Sequence, residues 1–401
     1  MIVRKTYLEK ITPLMGKDIV KVLTGMRRSG KSTLLGQIQA QLVEDGVDQS
    51  NIIAMDFESL QYEPLTTSHV AFYQEVARRI GDSKDKSYLF FDEVQEVPSW
   101  EKAINSLRVD FDCDIYLTGS NSKLLSGELA SLLSGRYVAI EVMPFSFAEM
   151  LESCEGMDID EAFSLYRVLG GLPFLSHIDY AAESSRTYLK DVLNSIVLKD
   201  IVARHGFRNV EQLQRVLAYL MSEAGTTLSI DSIAKALQSS GRGATRDGVY
   251  NYLEAAEDAM LLSRVRRQDV KGKEILRGGE KAYVTDVGLR EAALGSNASR
   301  IDLVLENLVF CELKRRGFDI HVGKNGTKEI DFVADRDKER IYVQVAYLLA
   351  SDQTIEREFG AYRNLSDNYP KYVVSMDKVD QSREGIRHMN IEDFLLDGRW
   401  G

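Results

Sequence analysis

The apolar positions of the chain form two alternating patterns. Short continuous runs read as buried strands, and stretches with apolar residues three and four apart read as helices. Residues 5–16 predict a short amphipathic helix ending at Gly16, and residues 19–24, with Ile19, Val20, Val22 and Leu23, a strand. Ser32–Glu44 reads as a helix, Asn51–Phe57 as a second strand and His69–Ile80 as another helix. Ser87–Glu93 is a third strand, apolar until it closes on two acids. Asp114–Asn121 is a fourth, with polar residues at its tip, and Arg136–Val142 a fifth. Strands that are apolar on both faces and alternate with helices predict a parallel sheet covered on each side. Ligands of such sheets gather at the carboxyl ends of the strands, where the polar tips fall.

Beyond Pro144 the pattern is helical to about His205, interrupted by Gly170-Gly171-Leu172-Pro173. Three helices follow at Gln212–Ala224, Ile230–Gln238 and Thr245–Leu261, then alternating residues and a glycine-bounded turn through Tyr283-Val284. Three helices and a β-hairpin form a winged-helix pattern. The chain then returns to α/β, with a helix at Leu303–Arg316 and strands at Glu329–Ala334 and Ile341–Val345. The expected domains are a P-loop core at 1–145, a helical lid at 146–205, a winged helix at 206–292 and a terminal α/β domain at 293–401. With no internal repeat or low-complexity linker, they are expected to pack against each other.

The 401 residues suffice for about two to four domains. Wherever the chain is apolar, the run stays shorter than the ~18 residues of a membrane span, and the first residues lack the apolar segment of a signal peptide. Cys113, Cys154 and Cys311 are odd in number and far apart, so they read as free thiols of a reducing cytoplasm. The five histidines are equally dispersed and suggest no metal cluster. A net charge of −11 argues against binding nucleic acid over the whole surface and permits only a local basic patch.

The densest chemistry lies between the first strand and the helix after it. Gly25-Met26-Arg27-Arg28-Ser29-Gly30-Lys31-Ser32 fits G-x-x-x-x-G-K-[ST]. Glycines let the backbone curl so that successive N–H groups face phosphate oxygens. The helix starting near Lys31 adds its positive end. Lys31 is expected to reach the β- and γ-phosphates and the Ser32 hydroxyl to sit on Mg²⁺, with Thr33 the less favoured metal ligand. Arg27 and Arg28 are either solvated or reach phosphate or a neighbour. Asp92 and Glu93 close the third strand, an arrangement in which Asp92 would hold the metal and Glu93 polarise water. Asn121, beside Ser120, is placed to sense the γ-phosphate or to cap a helix from Lys123. Arg136 could neutralise transferring phosphate in cis or in trans, or form a surface salt bridge. Gly171 and Pro173 sit in a turn that either lays backbone against a nucleotide base or is only a turn.

Two weaker patterns follow. From Arg264 to Lys281 the bases Arg264, Arg266, Arg267, Lys271, Lys273, Arg277 and Lys281 outweigh Asp269, Glu274 and Glu280 by four charges, with Arg242 and Arg246 nearby. These groups suit DNA phosphates, but Asp247, Glu254, Glu257 and Asp258 on the preceding helix would repel them. In the last domain Glu306, Asp331 and the strand Tyr342–Ala346 echo a metal-dependent nuclease. Gln344 stands where that pattern needs an acid and Ala346 where it needs a lysine.

Together, Gly25–Ser32, Phe91–Gln95 with Pro98 and Trp100, Thr118–Ser122, Leu133–Arg136, Pro144–Phe147 and Gly170–Pro173 resemble the bacterial and archaeal AAA-type ATPases of the STAND-like branch. Asp286–Leu289 and Glu329–Phe332 are similar to that family's later motifs. The resemblance implies ATP binding and hydrolysis on a sheet of order 5-1-4-3-2, a winged helix, and a terminal domain related to restriction endonucleases. The expectation is a cytoplasmic, Mg²⁺-dependent ATPase acting as a nucleotide-driven switch. ATP or ADP is its ligand, a nucleotide-dependent homo-oligomer or protein its partner, and no membrane is involved. The alternatives are an ATP-regulated DNA-binding regulator or defence protein, and a nucleotide-gated nuclease using Glu306 and Asp331.

Overall fold

The computed structural model describes residues 2–82, 85–121, 133, 135–154, 156–239, 244–272, 274–295 and 300–397. The helix expected from Lys123, and Arg242 and Lys273 of the basic region, lie outside them. The chain divides into two compact units, Met1–Val142 and Met143–Gly401.

The first unit runs α1 (Lys5–Ile11), β1 (Val20–Thr24), α2 (Lys31–Glu44), β2 (Ile52–Asp56), α3 (His69–Ile80), β3 (Ser87–Asp92), α4 (Trp100–Asp110), β4 (Cys113–Gly119) and β5 (Tyr137–Glu141). All neighbouring strands pair in parallel, in the order β2-β3-β4-β1-β5. This is the expected 5-1-4-3-2 arrangement of an AAA-like P-loop core. Successive side chains point to opposite faces. Val20, Val22, Leu89, Phe91, Ile115 and Leu117 therefore pack with Phe72, Val76, Ile104 and Leu107 of α3 and α4. Leu23, Phe90, Tyr116 and Ile140 meet Tyr7, Ile11, Leu34 and Ile38 of α1 and α2 on the other face. Helix α4 was not expected, although Trp100, Ala103, Ile104 and Leu107 have helical spacing and are buried.

One ion pair is sealed inside this sheet. Lys21 of β1 and Asp114 of β4 are fully buried and bonded to each other. Asp114 also accepts the Gly16 N–H at 2.7 Å and the Tyr116 hydroxyl at 2.8 Å. Burial pushes the Lys21 ammonium below its ordinary pKa, with Asp114 opposing the shift.

The second unit begins with helices Phe147–Glu152, Ile159–Leu169 and Ala182–Ser195, the last continuing through a π-helical stretch, Ile196–Val202. Helices Val210–Ser222, Ile230–Ser239 and Arg246–Asp258 precede β6 (Leu262–Asp269) and β7 (Ile275–Val284). After helices Val287–Leu294 and Ile301–Arg315 come β8 (Asp319–Asn325), β9 (Lys328–Arg336) and β10 (Glu339–Val345). Helix Asp352–Phe359, β11 (Lys371–Ser375), β12 (Arg387–Asn390) and helix Ile391–Leu396 close the chain.

The three helices and hairpin expected of 206–292 are present as elements, but the hairpin does not stand apart. It forms one end of a seven-stranded sheet, β12-β11-β10-β9-β8-β6-β7. Arg267 of β6 is paired in parallel with Val322 of β8. The segments expected as separate domains at 206–292 and 293–401 thus share a sheet. Three motif segments also meet at one buried carboxylate. Asp286 caps the helix after it by accepting the Gly288 and Leu289 N–H groups, and it accepts the Gly171 N–H at 2.8 Å. Gly171 in turn accepts the Phe145 N–H at 2.7 Å. Burial raises the Asp286 pKa to about 6, against these N–H donors.

Removing one partner of the Lys21–Asp114 pair strands a charge in the sheet. Asp114→Ala should cost about 3–5 kcal/mol, read as a lower urea midpoint and lost amide-exchange protection in β1 and β4. Lys21→Met/Asp114→Leu, which removes both charges, should recover most of that loss. A single variant with wild-type protection would refute the pair's role.

Candidate functional site

The site is built where β1, β3 and β4 end. The loop leaving β1 needs its glycines. Gly25 has φ +154°, and a Cβ there would lie 2.4 Å from the Val142 carbonyl oxygen. Gly30, at φ +98°, is the residue from which α2 starts. It has no side chain to cap that helix, and the start of a helix attracts anions. Lys31, in the first turn, is buried. Its ammonium donates to the Gly25 and Met26 carbonyls at 3.1 and 3.3 Å and to Ser120 Oγ at 2.8 Å. Ser32 and Thr33 are exposed beside it.

The acids of β3 lie against this turn. Asp92 is bonded to the hydroxyls of Ser32 and Thr118, and burial outweighs them in raising its pKa. Glu93, the residue after β3, has left-handed backbone, φ 51°. Its Oε1 accepts from Ser120 at 2.7 Å and lies 3.7 Å from the Lys31 ammonium. Burial would push Glu93 up, but Lys31, Ser120, Gln95 and Arg27 together hold it below its ordinary value. Glu93 is therefore an anion held by a lysine.

Thr118 ties the two acids together. Its hydroxyl donates to Asp92 and accepts the Glu93 N–H at 2.9 Å. Sequence reasoning assigned it no role, and a polar residue in a buried strand was the available signal. Arg4 was also missed. It is 2 % exposed, stacks on Tyr7 and donates to the Ser29 carbonyl at 3.1 Å, behind the phosphate loop. Asn121 follows Ser120, half-buried at the end of β4. Arg27 bonds Glu58 at 3.1 Å, while Arg28 is exposed.

Arg136 is at the other end of the sheet. Its carbonyl accepts the Val20 N–H where β1 begins, whereas Thr24, just before the loop, pairs with Glu141. Five extended residues, about 16 Å, separate Arg136 from that edge. The in-cis role for Arg136 is thereby overturned: parallel pairing sends the start of β5 away from its own chain's loop. Gly171 and Pro173 belong to the second unit, where Gly171 is enclosed by Phe145 and Asp286 and Pro173 opens the turn Pro173–Ile178.

Ser32 and Asp92 suit Mg²⁺, which favours oxygen donors and takes few of them from protein when phosphate supplies others. Among the described residues no group of three or more His, Cys, Asp and Glu could hold a metal. That includes the nuclease-like residues of the second unit, where Lys281 lies against Glu306 and Asp331. Part of the basic run is engaged with acids. Arg264 pairs with Glu257 at 2.6 Å and Arg267 with Glu329 at 3.0 Å.

A parallel sheet of this order, with a glycine-bounded loop after β1 and two acids closing β3, defines a P-loop AAA-type ATPase fold. Residues 17–151 match the AAA domain model, and residues 160–300 match a domain of unknown function (DUF8612). The chain is 36% identical over 401 residues to an uncharacterized protein of Haemophilus influenzae, covering 99% of each chain. It is 30% identical over 389 residues to uncharacterized protein MJ1544 of Methanocaldococcus jannaschii, covering 93% of this chain and 85% of that one. It belongs to the family that these two proteins represent. The Walker-type ATPase PABY2304 of Pyrococcus abyssi shares the fold, with TM-score 0.52 and 15% identity over 73% of this chain and 96% of that one. Among the described residues no helix is long and apolar enough to cross a membrane.

The Arg4 contact predicts a role in shaping the loop. Arg4→Ala should weaken binding of a fluorescent ATP analogue about 10-fold, the worth of one charge-assisted hydrogen bond, and Arg4→Lys should restore part of it. Equal affinities in all three proteins would show that Arg4 serves only the fold.

Proposed function

We propose that the chain binds ATP with Mg²⁺ at Gly25–Thr33 and hydrolyses it, and that the bound nucleotide sets the protein's conformation. The observation that carries this reading is the connected set of Lys31, Ser120 and Glu93, with the Asp92–Ser32 contact beside it. The loop amides and the start of α2 bind phosphate oxygens. Ser32 and Asp92 would hold Mg²⁺, which neutralises charge on the phosphates when bound. Lys31 is drawn to the phosphates, and Glu93 loses the cation that depresses its pKa. It then becomes a better acceptor for a proton of the attacking water. Ser120, bonded to both Lys31 and Glu93, relays that change, and Asn121 next to it is placed to sense it.

Arg136 fits this scheme only from a neighbouring copy, which makes a nucleotide-dependent homo-oligomer part of the proposal. A DNA partner is the weaker reading. Arg264, Arg267 and Lys281 are engaged with carboxylates, leaving Arg266 and Lys271 exposed.

Glu93→Gln should keep its affinity for ATP and lose about 100-fold or more in turnover, measured as steady-state phosphate release. Undiminished release would remove Glu93 from the chemistry. Lys31→Ala should weaken nucleotide binding by about 1.5–3 kcal/mol in a calorimetric titration, and wild-type affinity would place the nucleotide elsewhere.

A further inference from the structure

The nuclease-like pattern of the second unit lacks its lysine at Ala346, yet a lysine is present in space. Lys281 comes from β7 and enters the group of acids supplied by helix Ile301–Arg315 and strand β9. Its ammonium lies 2.9 Å from Glu306 Oε1, 3.0 Å from Glu329 Oε1 and 3.6 Å from Asp331 Oδ1. The Tyr283 hydroxyl donates to the same Glu306 oxygen at 2.6 Å. The other Asp331 oxygen accepts the Val345 N–H at 2.9 Å. Gln344 accepts the Asp331 N–H at 3.2 Å and donates to Glu358 at 2.8 Å. Lys281, Tyr283, Glu306, Asp331, Gln344 and Glu358 are all at least nine-tenths buried.

We infer that Lys281 takes the place of the divalent cation in this centre, which makes it a cation-filled strut between the hairpin and the terminal strands. An ammonium has three donors and no acceptor, and three carboxylates surround this one. A lysine that served cleavage would point at substrate while the acids held metal. Here the lysine is on the acids themselves. Buried carboxylates this close need a counter-charge, and Lys281 supplies one without any ion from solution. Burial alone would lower the Lys281 pKa, but Asp331, Glu306 and Glu329 overrule it and hold the ammonium charged. Gln344 has one negative charge fewer than the acid it replaces, and its amide still holds Asp331 and Glu358 in place.

The test is a Mn²⁺ titration without nucleotide, followed by the electron spin resonance of free Mn²⁺. All proteins carry Asp92→Asn to remove the phosphate-site metal. The parent should show no Mn²⁺ site that Asp331→Asn abolishes, and its melting temperature should not change with EDTA. Lys281→Met should melt lower, gain a Mn²⁺ site and recover stability with Mn²⁺, and Lys281→Met/Asp331→Asn should lose that gain. A Mn²⁺ site in the parent that Asp331→Asn removes would overturn the inference, because the acids would then hold metal alongside Lys281. So would a folded Lys281→Met that binds no more Mn²⁺ than the parent. Should Lys281→Met not fold without metal, folding restored by Mn²⁺ supports the inference. If it folds in neither condition, Lys281→Gln, which keeps two donors for the acids, goes through the same titration. A Mn²⁺ site gained by Lys281→Gln supports the inference, and binding no greater than the parent's overturns it.

Discussion

Parallel pairing is the constraint on which the candidate site depends. It sends the carboxyl ends of β1, β3 and β4 to one edge, so the loop, the acids and the Thr118–Ser120 segment meet although long stretches of chain separate them. The register is narrow. Asp92 faces Ser32, and Glu93 turns toward Lys31. A slip of β3 by a single residue would turn its side chains to the opposite faces and take Asp92 away from Ser32. The buried Lys21–Asp114 pair pins β1 against β4 in the same sheet. Gly25 is pressed against the Val142 carbonyl, so the chain leaving β5 also helps to shape the loop.

Three buried lysines show how context decides what an ammonium does. Lys21 faces one carboxylate in an apolar interior, and burial wins, lowering its pKa. Lys281 faces three, and the acids win, raising it. Each of these cations is held mainly by charge and fixes a structure. Lys31 differs from both, because two of its partners are loop carbonyls and a third is a hydroxyl, with Glu93 at the longer distance of 3.7 Å. Neutral acceptors hold a cation less firmly than carboxylates do, so an anionic ligand competes for Lys31 far more readily than for the other two.

The core was legible in the sequence because its signals are local. Gly25, Gly30 and Lys31 follow one another within a few residues, and apolar runs mark β1 to β5. Strand order followed from the family resemblance those motifs carry. What escaped depends on contacts between distant residues. Arg4 reaches Ser29 from a different element, and Lys281 meets Asp331 across two helices and strand β8. No spacing rule relates such pairs. Arg136 shows the opposite failure. Its position beside a strand was legible, but only the pairing of Val20 with Tyr137 reveals that it stands at the end of the sheet away from the loop. The winged-helix pattern rested on three helices followed by a hairpin, and elements in that order are present. Its independence was not legible, because the edge of a hairpin says nothing about what it will pair with.

That lost independence bears on how the second unit can move. The segments read from the sequence as lid, wing and terminal domain are fastened at two buried points. At one, Asp286 joins Gly171 of the lid to the helix that follows the hairpin. At the other, Lys281 of the hairpin is held by Glu306 and Asp331 of the terminal segment. Moving these segments against one another would strand a carboxylate or an ammonium out of water, with the high cost of an unpaired buried charge. It would also break the parallel pairing of β6 with β8. Changes that leave both fastenings closed are far cheaper, so a rearrangement of this unit is one that its sheet and helices make together.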